Sequence, residues 1–161
     1  MRTRFAAALT AFVLMTTAAC GTDVPAGLAE KVESGCPGLL KPETLAVITK
    51  GFVVSEVNLV DTNGCQVFVS TGRQVLNVGI VAYSSPEESE RLTPMLCESG
   101  VLDAKTKSCA DDKSGGGYTV RATAGKWSIG ASVYEIPVND DVKDAMLQVV
   151  EDLRDSDKTR G

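Results

Sequence analysis

Polar and apolar positions divide the chain into segments of two distinct periods. Between Asn139 and Leu153 the apolar residues Val142, Ala145, Met146, Val149, Val150 and Leu153 recur at three- and four-residue spacing, which lines one face of a helix. Asn139 stands at the N-cap position, and Asp140 and Asp141 fall in the first turn, where the helix dipole favours anions. Upstream the period shortens to two. Residues 52–60, 65–70 and 75–83 are rich in β-branched side chains. The turn signals Asp61-Thr62-Asn63-Gly64 and Thr71-Gly72-Arg73 separate them, which predicts an antiparallel meander. Residues 118–123 and 127–136 predict two further strands, joined by a tight turn at Ala124-Gly125-Lys126.

Helix signals fill the remaining segments. Residues 28–34 suit one or two turns with Leu28 and Val32 on one side, and Gly35-Cys36-Pro37-Gly38 breaks them. Pro42 occupies a first helical position ahead of Leu45, Ala46, Val47 and Ile48, and Gly51 closes that helix. Ser85 can cap a third helix with Pro86 behind it and Glu88 at the capping-box position, and Pro94 predicts a break near Thr93. Residues 98–117 read as a long polar loop ending in Gly115-Gly116-Gly117. The predicted class is α+β: an antiparallel sheet of about five strands with helices packed on one face, in the order α-α-β-β-β-α-β-β-α.

The first twenty residues follow a different logic. Arg2 and Arg4 precede an apolar run from Phe5 to Met15 broken only by Thr10, and the small residues Thr16, Thr17, Ala18 and Ala19 close it. That is the layout of a secretory signal peptide, too short for a permanent membrane span. Thr17-Ala18-Ala19-Cys20 resembles the lipobox of bacterial lipoproteins, with Thr17 where that pattern usually has Leu. The resemblance implies that Cys20 is diacylglycerated and becomes the mature N-terminus; the other reading is an ordinary secreted chain cleaved after Ala19. On the lipobox reading, residues 1–19 are a signal peptide and 20–27 a lipidated tether. Residues 28–154 then form one extracytoplasmic domain, and 155–161 a frayed tail. Two acyl chains anchor stably where one is marginal. The expected partner is the membrane, through that anchor, and the expected location is the outer face of the cell membrane.

Composition narrows the chemistry. The chain of 161 residues has no histidine, which removes Ser-His-Asp and Cys-His catalysis and histidine-ligated metals. Its net charge of −5 argues against nucleic acid as a partner. Loss of the two signal-peptide arginines makes the exported part more acidic still. Beyond Cys20, four cysteines remain: Cys36, Cys65, Cys97 and Cys109. An even count in an exported domain predicts two disulfides, with three pairings open. Cys36–Cys65 with Cys97–Cys109 is preferred, because the second pair closes a short loop and the first ties a helical region to a strand. No Cys-x-x-Cys pair supports zinc instead.

The catalytic candidates have plainer readings. Lys113-Ser114-Gly115 matches the Lys-Ser/Thr-Gly triplet of penicillin-recognising enzymes, yet the chain contains no Ser-x-x-Lys. Asp61-Thr62-Asn63-Gly64 looks like the start of a calcium loop, but Gly72 stands at its twelfth position. The pairs Asp111-Asp112 and Asp140-Asp141 would need to meet in a pocket to serve acid–base chemistry. Gly115-Gly116-Gly117 reads as a linker or a lid, and Trp127 as a core residue or a stacking platform.

Cys36-Pro37-Gly38-Leu39-Leu40 before Pro42-Glu43, with Gly64-Cys65 opening a strand, resembles small actinobacterial lipoproteins carrying an uncharacterised Cys-x-x-Leu domain. In those, Trp often follows the second cysteine closely, where Gln66 and Val67 stand here. The resemblance implies an α/β sandwich related to the PsbP-like fold and supplies no catalytic residues. The expected function is a non-enzymatic binding or accessory module of the cell envelope, with no cofactor, no metal and no catalytic residue. Its partner would be an envelope protein or a small ligand. The alternatives are a histidine-free hydrolase using carboxylates or Ser-Lys, and a docking subunit of a larger envelope enzyme or transporter.

Overall fold

A computed structural model describes residues 26–61 and 63–155. The expected signal peptide (1–19), Cys20, most of the tether and residues 156–161 of the tail lie outside the described residues. The elements run α1 (Ala26–Glu33), α2 (Cys36–Leu39), α3 (Pro42–Ile48), β1 (Val54–Val60), β2 (Gly64–Val69) and β3 (Gln74–Ala82). There follow α4 (Pro86–Leu92), a 3₁₀ turn (Thr93–Leu96), β4 (Ser108–Asp112), β5 (Tyr118–Ala124), β6 (Trp127–Val133) and α5 (Asp140–Arg154). The class is α+β with an antiparallel sheet, as the periodicity predicts. The sheet has six strands rather than about five, in the spatial order β1-β2-β3-β6-β5-β4.

The sixth strand comes from the segment read as loop. Ser108–Asp112 carries three polar residues and has no apolar run to betray it. It pairs with β5 from Ser108 opposite Ala122 to Asp112 opposite Tyr118, so its backbone is held by a partner that sequence reading cannot see. A second correction concerns the helices: they do not all pack on one face. Tyr118, Val120 and Ala122 face α5, where Lys143 stands over the Tyr118 ring at 5.0 Å. Arg121 and Cys109, of opposite parity, face the 3₁₀ turn: Arg121 Nε donates to the Leu96 carbonyl, and Cys109 is bonded to Cys97. The first three helices and α5 thus cover one face, while α4 and its 3₁₀ extension cover part of the other. The third correction is α2, a single helical turn built from the expected breaker. Gly35 supplies its entry at φ 67°, in the left-handed region, and Pro37 takes an early position.

The core lies between α5 and the sheet. Val67, Leu76, Val78, Ile129, Ala131 and Met146 are essentially sealed from water. Each fully buried aliphatic contributes roughly 1.5–3 kcal/mol relative to exposure, which outweighs the modest helix propensity of α5's β-branched residues. All of β6 is buried, its alternate residues facing the two helical layers. Trp127 is 9% exposed and belongs to the core, beside Ala82 and Ala124, so the stacking-platform reading fails.

Two disulfides fasten the periphery. Cys36 joins Cys65 with Cα atoms 5.4 Å apart, tying α2 to β2. Cys97 joins Cys109 across 6.3 Å, tying the end of the 3₁₀ turn to β4. Beside the first, α1 crosses α2 so closely that a Cβ on Gly38 would run into the Lys31 carbonyl oxygen. Gly38→Ala is therefore expected to lower stability by about 1–3 kcal/mol, measured by urea unfolding. Gly79→Ala, placed where the sheet surface is open, serves as the near-neutral comparison.

Candidate functional site

The C-terminal end of α3 and the N-terminal half of α5 enclose a groove of about 560 Å³. Each wall has a local cause. The α3 helix ends at Thr49, whose hydroxyl donates to the Leu45 carbonyl, and Gly51 turns the chain at φ 87°. Phe52 N donates back to the Thr49 carbonyl, which brings the phenyl ring under the helix end. Opposite, the Asn139 side chain accepts from Val142 N at 3.0 Å and starts α5 in register. Ile48, Val142 and Ala145 form a buried floor, and Val47 and half-buried Phe52 add apolar surface still open to water. Asp141, Asp144, Gln148 and Lys50 stand exposed at the rim. An apolar floor with two carboxylates against one ammonium suits a small amphiphile bearing positive charge.

One member of each acidic pair, Asp112 and Asp140, acts on a single lysine, while Asp141 stands at the groove. Lys143 Nζ lies 3.0 Å from Asp112. That hydrogen bond, with the charges of Asp112 and Asp140, raises the lysine above its ordinary value. Beneath it, burial pushes the Tyr118 hydroxyl up; Asp112, Asp111 and Asp144 push the same way and Lys143 opposes them. Asp111 itself turns to the other side, accepting from Ser99 Oγ at 3.1 Å. Its carboxylate lies beside the Cys97 and Cys109 sulfurs, but these are bonded to one another and offer no thiolate to a metal.

Residues 98–117 are tightly organised. Asp103 Oδ1 accepts from Thr106 N at 2.7 Å, Thr106 Oγ1 at 2.9 Å and Lys105 N at 3.0 Å, and these bonds hold its carboxyl below the usual range. The segment borders a hollow of about 330 Å³ between Pro94, Val101, Leu102 and Lys107. Gly115-Gly116-Gly117 is neither linker nor lid. Lys113 N donates to the Gly117 carbonyl and Gly116 N to the Lys113 carbonyl, so the glycines turn the β4–β5 hairpin, with Lys113-Ser114-Gly115 inside it. Asp61-Thr62-Asn63-Gly64 joins β1 to β2, and Asn63 Nδ2 donates to the Ile80 carbonyl at 2.7 Å. Cys20 lies outside the described residues. Of the candidate residues named from the sequence, Asp141 alone lines the groove, without its neighbour Asp140. The signal the sequence offered was the apolar run Ala46-Val47-Ile48, one residue too wide for a single buried face.

The titration behaviour follows from these contacts. Besides Asp103, the capping carboxylate Glu88 is lowered, chiefly by the Ser84 hydroxyl and then by Ser84 N. Carboxyls depressed in the fold contribute stability that is complete above their unfolded range and lost as pH falls through the folded values. With no histidine and four cysteines in disulfides, unfolding stability is expected to be flat from about pH 6 to pH 9 and to fall below about pH 5. Chemical denaturation across pH checks this. The double variant Glu88→Gln, Asp103→Asn is expected to show a shallower acid limb, and an unchanged limb would count against these contacts.

No protein-family model, curated protein or solved structure matches the chain.

Proposed function

We propose that the chain is a lipid-anchored extracytoplasmic protein that acts as a non-enzymatic binding module of the cell envelope and holds a small amphiphilic cation in the α3–α5 groove. The observation that carries the reading is the groove itself, whose apolar floor and acidic rim are fixed by secondary structure on both sides. Rigid walls reduce the ordering cost of binding. The anchoring half rests on Arg2, Arg4, the apolar run and Thr17-Ala18-Ala19-Cys20, together with the likeness to small actinobacterial lipoproteins. The two disulfides suit an oxidising compartment. The chain enters the described fold at α1, whose Lys31 approaches α5 near Val149 and Asp152. Asp141 at the groove is roughly 16 Å away along that helix.

Two experiments test the two halves. In membranes of the native host, mass spectrometry of the N-terminus is expected to find a diacylglyceryl thioether on Cys20, and Cys20→Ala is expected to move the protein to the soluble fraction. Recovery of the parent chain as soluble protein with an unmodified Cys20 would sink the anchor. For the groove, NMR titration with phenethylamine is expected to shift the amides of Val47, Phe52 and Ala145. Asp141→Asn with Asp144→Asn should weaken that binding about fivefold or more. Equal binding of the uncharged alcohol analogue would refute recognition of a cation.

A further inference from the structure

The sheet face turned away from α5 carries Gly64 of β2, Gly79 of β3, Gly130 of β6 and Arg121 of β5 side by side in register. Three neighbouring strands without a Cβ leave a trough floored by backbone. Above Gly79 the space is open. At Gly130 it is filled, because a Cβ there would meet Arg121 Cζ at 3.1 Å and Cγ at 3.3 Å. The arginine therefore lies flat across β6, its guanidinium over Gly130 and next to the open glycine row of β3. Its Nε donates to the Leu96 carbonyl at 3.0 Å, which fixes the plane of the fork. No carboxylate pairs with it among the described residues.

Side chains of the adjoining rows wall the trough. On one side stand Asn58, Gln66 and Asn77, a half-buried ladder of amides on three consecutive strands. On the other stand Val81 and Ser128, paired across β3 and β6. Ser128 is 1% exposed, projects from this same face next to Gly130, and its Oγ has no hydrogen-bond partner among the described residues. A second buried hydroxyl, Thr93 Oγ1 of the overlying 3₁₀ turn, is equally unpartnered. Burial lowers the arginine from its ordinary range, with the Tyr134 and Tyr83 hydroxyls acting in the opposite sense. A half-desolvated cation and orphaned hydroxyls are costly unless something satisfies them.

We propose that this trough binds a small soluble ligand headed by a carboxylate or phosphate, with the Arg121 fork receiving the anion and the amide ladder and Ser128 bonding its polar body. A planar guanidinium held by its Nε presents the remaining donors in the bidentate geometry that both oxyanions fit. The glycine floor admits the ligand to the depth of the backbone. The chain as a whole is acidic, with a net charge of −5. Long-range attraction therefore contributes little and recognition rests on contact. This site goes beyond the groove reading: it lies across the sheet and prefers the opposite charge.

NMR titration of the ¹⁵N-labelled full chain with inorganic phosphate, N-acetylglycine and uncharged N-acetylglycinamide tests the proposal. One or both anions are expected to shift Arg121 Nε and the Gly79 and Gly130 amides saturably, with the uncharged amide inert. Phosphate alone or N-acetylglycine alone identifies the head, and either result supports the site. Arg121→Gln is expected to weaken binding about tenfold or more. Gly79→Val fills the trough where nothing lies within 4 Å of the added Cβ and is expected to abolish the shifts while the folded spectrum persists. It decides the matter even if Arg121→Gln does not fold. The proposal is overturned if neither anion moves Arg121 Nε, if the uncharged amide does so equally, or if Gly79→Val leaves the titration unchanged.

Discussion

The pairing of β3 with β6 is the contact on which the rest of this molecule depends. It runs from Leu76 opposite Val133 to Ala82 opposite Trp127 and joins the N-terminal meander to the C-terminal one. The strands come from distant parts of the sequence, so loop-closure entropy opposes their meeting and buried apolar surface must offset it. Ile80 against Ile129 and Val78 against Ala131 supply that surface, and α5 covers it with Met146 and Val149. Without this junction the two meanders would each present a half-covered sheet.

The same junction creates both candidate binding surfaces. On the α5 side, apolar residues of the central strands fix where the long helix lies, and the helix in turn fixes the distance to α3 that defines the groove. On the other side, the register sets Gly79 beside Gly130 and Gly130 beside Arg121. A slip of two residues would retain the apolar alternation yet separate the glycines, so the trough is a product of register and not of composition. The disulfides act at a different level. They fasten α2 and the 3₁₀ turn, the small elements with the least core of their own, to opposite halves of the sheet.

Elements with a strong period were legible in the sequence, and those stabilised only by a partner were not. The α5 stripe is continuous and all six of its apolar residues are buried. The break at Pro94 falls where α4 gives way to the 3₁₀ turn, because proline cannot donate the next helical hydrogen bond. Glu88, at the capping-box position, accepts from Ser84 N at 2.9 Å. Strand β4 had no apolar signal, and α2 hid inside a glycine–proline cluster that ordinarily ends helices. The candidate sites were illegible for a related reason. Val47, Phe52 and Asp144 in the groove, and Gly64, Gly79, Gly130 and Arg121 in the trough, are each ordinary for their local element.

By itself the sequence determined the class of fold, the antiparallel meander, the last helix, the exclusion of histidine chemistry and the acidic balance. These follow from local periodicity, turn chemistry and composition, which involve neighbours a few residues apart. Tertiary structure alone decided the sixth strand, the helix on the second face, the ion pair of Asp112 with Lys143, and an arginine laid across a row of glycines. Each of those joins residues that belong to different elements and that no local period relates. The pattern along a chain specifies which face of each strand is apolar, but not which other strand will lie beside it.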